Sequence, residues 1–137
     1  MKITCGIDSI QITRIREILE KQGEAFLTRV YTPAEQALCE AKGKHSLESY
    51  AARFAAKEAV SKALGTGIGR EGVRFVDMEI LCDDRGKPIL HLHGKTNLLF
   101  AKHFGLSSDI SLTHESDRAS AVCVMLFSES DKEGIRA

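Results

Sequence analysis

The sequence predicts an α+β fold in which helices pack on a small, hairpin-rich antiparallel sheet. Three observations predict it. Leu47 to Leu64 is rich in alanine and holds no glycine or proline, the composition of one long uninterrupted helix. Upstream of it, apolar residues recur at helical spacing. Downstream, short apolar runs alternate with polar turns, the pattern of antiparallel strands joined by hairpins.

The elements follow in order. Ile3 to Ile10 mixes β-branched residues with Gly6 and ends in polar ones, predicting a strand that runs into a loop or helix start, with Asp8 at its end. Ile12, Ile15, Ile18 and Leu19 follow helical spacing and Gly23 stands where a C-terminal cap fits, so a first helix of about three turns is expected. A short apolar-periodic piece, Phe26, Leu27 and Val30, leads into Thr32-Pro33-Ala34-Glu35. That tetrapeptide combines an N-cap hydroxyl, proline at the first helical position and a capping-box glutamate, and starts a second helix that ends near Lys42-Gly43. Ser46 is the expected cap of the long helix, and Gly65 its end. Gly65-Thr66-Gly67-Ile68-Gly69 then reads as a flexible loop. Phe75 to Cys82, the turn Asp83-Asp84-Arg85-Gly86 and Ile89 to His93 make a hairpin. Leu98, Leu99, Phe100 and Phe104 suggest a helix closing at Gly105. The strand Ile110 to His114, a polar turn from Glu115 to Arg118 and the apolar strand Ala119 to Phe127 follow, then a polar tail, 128–137, expected to fray.

The length of 137 residues suits a single domain, 1–137, large enough to bury a core without disulfides or a structural metal. Nineteen basic residues balance nineteen acidic ones, so no global field draws nucleic acid or an acidic membrane, and an electrostatic partner must meet a local patch. A content of 43% hydrophobic and 28% charged residues excludes a disordered chain. No apolar run reaches ~18 residues and no basic stretch precedes an apolar one at the N-terminus, so neither a spanning helix nor a signal peptide is expected, and the expected location is the cytosol. Cys5, Cys39, Cys82 and Cys123 lack C-x-x-C spacing and read as buried small hydrophobes.

The informative stretch is Arg53-Phe54-Ala55-Ala56-Lys57-Glu58-Ala59-Val60-Ser61-Lys62-Ala63-Leu64-Gly65. Phe54, Glu58 and Lys62 fall four apart and share one helix flank, with Ser61 and Gly65 close by. Two readings compete. A solvated Glu–Lys pair is worth a few tenths of a kcal/mol. A binding site is the other, because Ala51 to Leu64 is mostly small or apolar and charges are rare in an interior unless they bind something. The glycine loop would then set backbone N–H groups beside the lysine as a phosphate cradle, although no Gly-Lys-Ser/Thr follows as in a Walker loop. Asp8 taken singly is a helix cap or turn residue; paired with Glu58 it makes a Mg²⁺ site of the kind completed by phosphate oxygens and waters. His91 and His93 alternate on one strand, and with His114 or Cys82 they would suit Zn²⁺ or Cu²⁺; without a third ligand at firm spacing, a solvated sheet surface explains them adequately. His114 ends Ile110-Ser111-Leu112-Thr113-His114, a polar strand end able to contact phosphate.

Gly6-Ile7-Asp8, the run Arg53 to Lys62 with its glycine loop, Gly86-Lys87-Pro88, and Ser111-Leu112-Thr113-His114 followed by Ala119-Ser120-Ala121-Val122 resemble the holo-[acyl-carrier-protein] synthase family of small 4′-phosphopantetheinyl transferases. The resemblance covers residues 3 to 127 in order and spacing; Ser9 and Gln11 stand where that family usually has an apolar and an acidic residue. It implies the 4′-phosphopantetheinyl transferase fold, with a long central helix and shorter helices on a small antiparallel sheet, and a homotrimer with sites between subunits. The implied reaction moves the phosphopantetheine arm of coenzyme A to a serine of apo-acyl carrier protein, releasing adenosine 3′,5′-bisphosphate, in fatty acid biosynthesis. It further implies Mg²⁺ or Mn²⁺ at Asp8 and Glu58, Glu58 as proton acceptor, and Lys62 stabilising charge on the bridging oxygen. Arg53, Lys62, Gly65, Gly67, Gly69, Thr113 and His114 would hold coenzyme A. Arg14 matches a carrier-contacting position, and Lys21, seven residues on, shares its helix flank with Ile18 between them as an apolar contact. Two rival readings are a metal-dependent hydrolase built on His91 and His93, and a non-enzymatic interaction domain in which Glu58 and Lys62 are a surface pair.

Overall fold

A computed structural model describes residues 1–129 of the chain, and strand alternation near its start sets the architecture. Strand β1 (Lys2–Gln11) turns Gly6, Asp8 and Ile10 toward the interior and leaves Ile3, Cys5 and Ile7 outside. Helix α1 (Ile12–Gln22) follows directly, burying Ile12 and Ile15, and Gly23 closes it at φ 54°. The piece around Phe26 forms a helix of its own, α2 (Glu24–Val30). Helix α3 (Pro33–Glu40) starts on the expected capping box, with the Glu35 N–H donating to the Thr32 hydroxyl and the Thr32 N–H to the Glu35 carboxylate. It stops earlier than expected, and a 3₁₀ turn (Gly43–His45) replaces the side-chain cap assigned to Ser46, which is already the first residue of helix α4 (Ser46–Leu64).

Two 3₁₀ turns then lead to a hairpin of β2 (Met78–Cys82) and β3 (Pro88–Leu92). The strand expected to begin at Phe75 begins three residues later because Phe75–Asp77 is one of these turns, and the Phe75 carbonyl accepts from Lys57 instead of a neighbouring strand. Helix α5 (Gly94–Lys102) ends before Phe104, which takes a left-handed φ of 62°. Gly105 opens strand β4 (Gly105–His114), where a β-carbon would lie 2.4 Å from the Phe100 ring. Strand β5 (Arg118–Phe127) pairs antiparallel with both long strands, giving a three-stranded sheet in the order β1-β5-β4, and the hairpin forms a second sheet. The frayed tail expected from 128 lies outside the described residues from 130 on.

α4 crosses the inner face of the larger sheet, and its sequence explains how closely. Ala51, Ala55, Ala56, Ala59 and Ala63 are almost wholly buried, so small side chains face the strands. At Gly6 a β-carbon would sit 2.0 Å from the Ala59 carbonyl oxygen and 2.8 Å from Lys62 Cβ. Only glycine permits that approach. On its other side α4 buries Lys57 completely, where Nζ donates to Glu35 Oε1 at 2.7 Å and to the Phe75 carbonyl at 2.9 Å. Glu35, also without exposure, accepts at its second oxygen from the Ile80 N–H. Burial pushes the Lys57 ammonium below its ordinary pKa, and Glu35 opposes the shift.

Two of the cysteines depart from expectation. Cys39 and Cys123 are buried, whereas Cys5 faces outward by strand alternation and Cys82 is exposed at the end of β2. Ile3 (69% exposed), Ile7 (68%) and Val124 (42%) join Cys5 on an uncovered apolar sheet face. Among the described residues no helix is long and apolar enough to cross a membrane.

Candidate functional site

Along α4, every residue from Tyr50 to Leu64 is buried except Phe54, Glu58 and Lys62. These three emerge on one flank, as their spacing predicts. The close approach at Gly6 puts that flank beside the inner side of β1, and Lys62 reaches across. Its Nζ donates to the Ile7 carbonyl at 2.8 Å and lies 3.3 Å from Asp8 Oδ1. Glu58 shares the cluster. Its carboxyl is held above the usual range, first by burial and second by the Asp8 charge, while Lys62 and Arg14 pull the other way. Asp8, Glu58 and Lys62 therefore meet, which the sequence could only suggest, and Arg14 on α1 stands at the edge of the same field.

This donor set fits a hard divalent cation. Two carboxylates repelling one another in a half-buried corner supply what Mg²⁺ usually takes from a protein, leaving its other positions to water and phosphate oxygens. The histidine alternative does not assemble. His93 lies past the end of β3 with Nε2 3.0 Å from Glu79 Oε1, and among the described residues no cluster of three or more His, Cys, Asp or Glu could hold a metal.

The glycine loop behaves differently from the cradle expected of it. The N–H groups of Gly65, Thr66 and Gly67 all donate to the Ser61 carbonyl, and that of Gly69 to Val73. They close the C-terminus of α4, the end where the helix dipole is negative. Gly65, Gly67 and Gly69 have φ of 86°, 72° and 92°, a conformation that favours glycine. The loop still adjoins Lys62.

Arg53 is on the opposite side of the same helix. It stands nine positions before Lys62, two and a half turns or about 13 Å of axial rise. The residue is 5% exposed, and its guanidinium donates to the Ile80 carbonyl, Ser49 Oγ and Cys82 Sγ. None of these partners is a carboxylate. A buried cation without a counter-ion is costly unless something anionic completes it. Arg53 lines a cavity of about 310 Å³ together with Lys42, His45, Glu48, Thr113 and His114. Thr113 and His114 thus join Arg53, and this group does not join Asp8, Glu58 and Lys62 within one chain. Lys42 and His45 were missed at the sequence level. His45, Ser49 and Arg53 fall four apart, the same spacing that singled out Phe54, Glu58 and Lys62, and would have been found by extending it one helix face further.

On α1, Arg14 and Lys21 are exposed, whereas Ile18 is partly buried against the core and offers only its outer edge.

Comparison with known proteins bears on both clusters. Residues 4–123 match the 4′-phosphopantetheinyl transferase superfamily. The chain is 40% identical over 135 residues to the holo-[acyl-carrier-protein] synthase of Ruminiclostridium cellulolyticum, covering 98% of this chain and 100% of that one. The Helicobacter pylori holo-[acyl-carrier-protein] synthase in complex with coenzyme A superposes with a TM-score of 0.78 at 34% identity, covering 89% of this chain and 99% of that one. The Bacillus anthracis synthase in complex with CoA (3′,5′-ADP) gives 0.74 at 40% identity, covering 91% and 96%.

Proposed function

The chain belongs to the 4′-phosphopantetheinyl transferase superfamily, and from that premise we propose that it performs the holo-[acyl-carrier-protein] synthase reaction. It moves the 4′-phosphopantetheine arm of coenzyme A to a serine of apo-acyl carrier protein in fatty acid biosynthesis and releases adenosine 3′,5′-bisphosphate. The observation that carries the reading is the division of α4 into two chemically distinct flanks. One presents Asp8, Glu58 and Lys62; the other presents Arg53, which has no carboxylate partner among the described residues, in a cavity shared with Lys42, His114 and the His45–Glu48 pair. Coenzyme A asks for such a division, having a pyrophosphate where reaction occurs and a separate 3′-phosphate at its nucleotide end.

A Mg²⁺ ion held by Asp8 and Glu58, with Mn²⁺ as substitute, would neutralise the pyrophosphate oxygens. Glu58, beside Asp8 and Lys62, is the carboxylate placed to accept the serine proton. Lys62 stabilises the charge that develops on the bridging oxygen as the bond to adenosine bisphosphate breaks. Arg53, Lys42 and His45, with Thr113 and His114, hold the nucleotide end, and the Gly65–Gly69 loop forms a wall beside Lys62. Arg14 and Lys21 receive the acidic carrier at the edge of the reaction centre.

The proposal includes a cytosolic location and a homotrimer. The two flanks of one α4 point away from each other, so a neighbour's cavity completing each reaction centre accounts for both. The uncovered apolar face at Ile3, Ile7 and Val124 supports an interface that would cover it.

Coenzyme A binding measured by calorimetry, with turnover measured alongside, tests the assignment. Arg53→Ala should weaken binding, whereas Lys62→Ala should bind coenzyme A nearly normally and lose mainly kcat. Unimpaired binding and turnover in Arg53→Ala would remove the cavity from the reaction.

A further inference from the structure

Lys62 does not extend into open space beside the carboxylates, as a group waiting for a substrate phosphate would. Its Nζ is seated between two oxygens of β1, the Ile7 carbonyl at 2.8 Å and Asp8 Oδ1 at 3.3 Å. Half of its side chain is nevertheless exposed (52%), against 21% for Asp8, so the ammonium can leave while the carboxylate stays. The seat follows from packing. Lys62 Cβ lies against Gly6, and the stem runs over the strand to the two residues that follow it. From this seat the lysine neutralises the carboxylate that a divalent cation would also need.

We propose that Lys62 and a divalent cation compete for Asp8, so that a cation binding this carboxylate displaces the ammonium from the Asp8–Ile7 seat and frees it for the substrate. The inference rests on the reading of Asp8 and Glu58 as metal ligands and adds an exchange between cation and lysine. Two consequences follow. Lysine and metal compete for one carboxylate oxygen, so the protein without coenzyme A binds divalent cations weakly. Metal loading also arms the site, because the ammonium becomes available only once the cation has taken its place.

The test uses Mn²⁺ alone as the probe, with no coenzyme A present, and reads its affinity from water-proton relaxation. Lys62→Met keeps the packed stem and removes the charge. It should bind Mn²⁺ roughly fivefold more tightly than wild type, the scale of removing one competing charge from a partly exposed carboxylate. Lys62→Gln should do the same, and Asp8→Asn should abolish binding. A second readout is the acylation rate of the Lys62 amine by an amine-directed reagent, mapped by peptide mass, which should rise on adding Mg²⁺ to wild type. If Mn²⁺ binds wild type through Asp8 and both Lys62 variants bind it no more tightly, the exchange is overturned while the metal site survives. If no variant binds Mn²⁺ in an Asp8-dependent way, the metal reading falls and the exchange with it.

Discussion

Gly6→Ala puts the link between packing and chemistry under direct load. The new β-carbon would lie 2.0 Å from the Ala59 carbonyl oxygen, 2.8 Å from the Ala63 nitrogen and 2.8 Å from Lys62 Cβ. Carbon–oxygen contacts settle near about 3.3 Å, so α4 and β1 must separate by roughly 1 Å. All three obstacles belong to α4 close to Glu58 and Lys62, and the displaced strand carries Asp8 two residues on. Overpacking of this kind costs about 1–3 kcal/mol, which for a chain of this size lowers Tm by roughly 4–12 °C. The effect on catalysis should be larger, since a misplacement of about 1 Å at reacting groups costs on the order of 10²-fold. Thermal melts and transfer rates measured well below Tm separate the two. Val30→Ala, which opens a cavity at a buried site on α2, serves as control and should lose stability without the rate. A Gly6→Ala protein that turns over like the Val30→Ala control would refute the claim that this contact aligns the site.

Three further outcomes are expected. Lys57→Met, by stranding the buried Glu35 carboxylate, should cost about 3–5 kcal/mol in denaturant unfolding, and adding Glu35→Gln should recover part of it; equal stability of the single variant and wild type would contradict the buried pair. Arg14→Glu should raise KM for the carrier protein and leave coenzyme A binding nearly intact, with the wild-type rate at low carrier concentration falling as salt rises; an unchanged carrier KM would move the docking surface elsewhere. In a thiol-reactivity time course Cys82 should react first, while Cys39 and Cys123 stay protected, burial having pushed the Cys123 thiol up to about 12. Cys5 discriminates: if the proposed trimer covers this sheet face, Cys5 should react slowly at high protein concentration and fast on dilution, and reactivity equal to that of Cys82 throughout would rule out the face as an interface.

Much of this was legible in the sequence because its carriers are local. Helical spacing placed Glu58 and Lys62 on one flank, the capping box at Thr32 and Glu35 started α3 where expected, and alternation gave the hairpin and the final strand. What escaped depends on contacts between distant segments. Glu35 reads as a capping residue and is one, yet the same carboxylate also neutralises Lys57, twenty-two residues on. Periodicity could not show that Phe75 gives its carbonyl to that lysine and so delays β2. The hydrogen bonding of the glycine loop escaped for a related reason. The amides of Gly65, Thr66 and Gly67 donate to the Ser61 carbonyl and that of Gly69 to Val73, because the last carbonyls of a helix lack donors of their own. Cys5 was assigned to the interior by composition, when its odd position on a strand whose even residues face α4 sends it out.

The most direct measurement is the intact mass of an apo-acyl carrier protein after incubation with this protein, coenzyme A and Mg²⁺. The carrier should gain the mass of one phosphopantetheine, in step with release of adenosine 3′,5′-bisphosphate, and should gain almost nothing with Glu58→Ala or with the metal chelated. A carrier that stays at its apo mass with the wild-type protein, or that is converted equally fast by Glu58→Ala, would contradict the account.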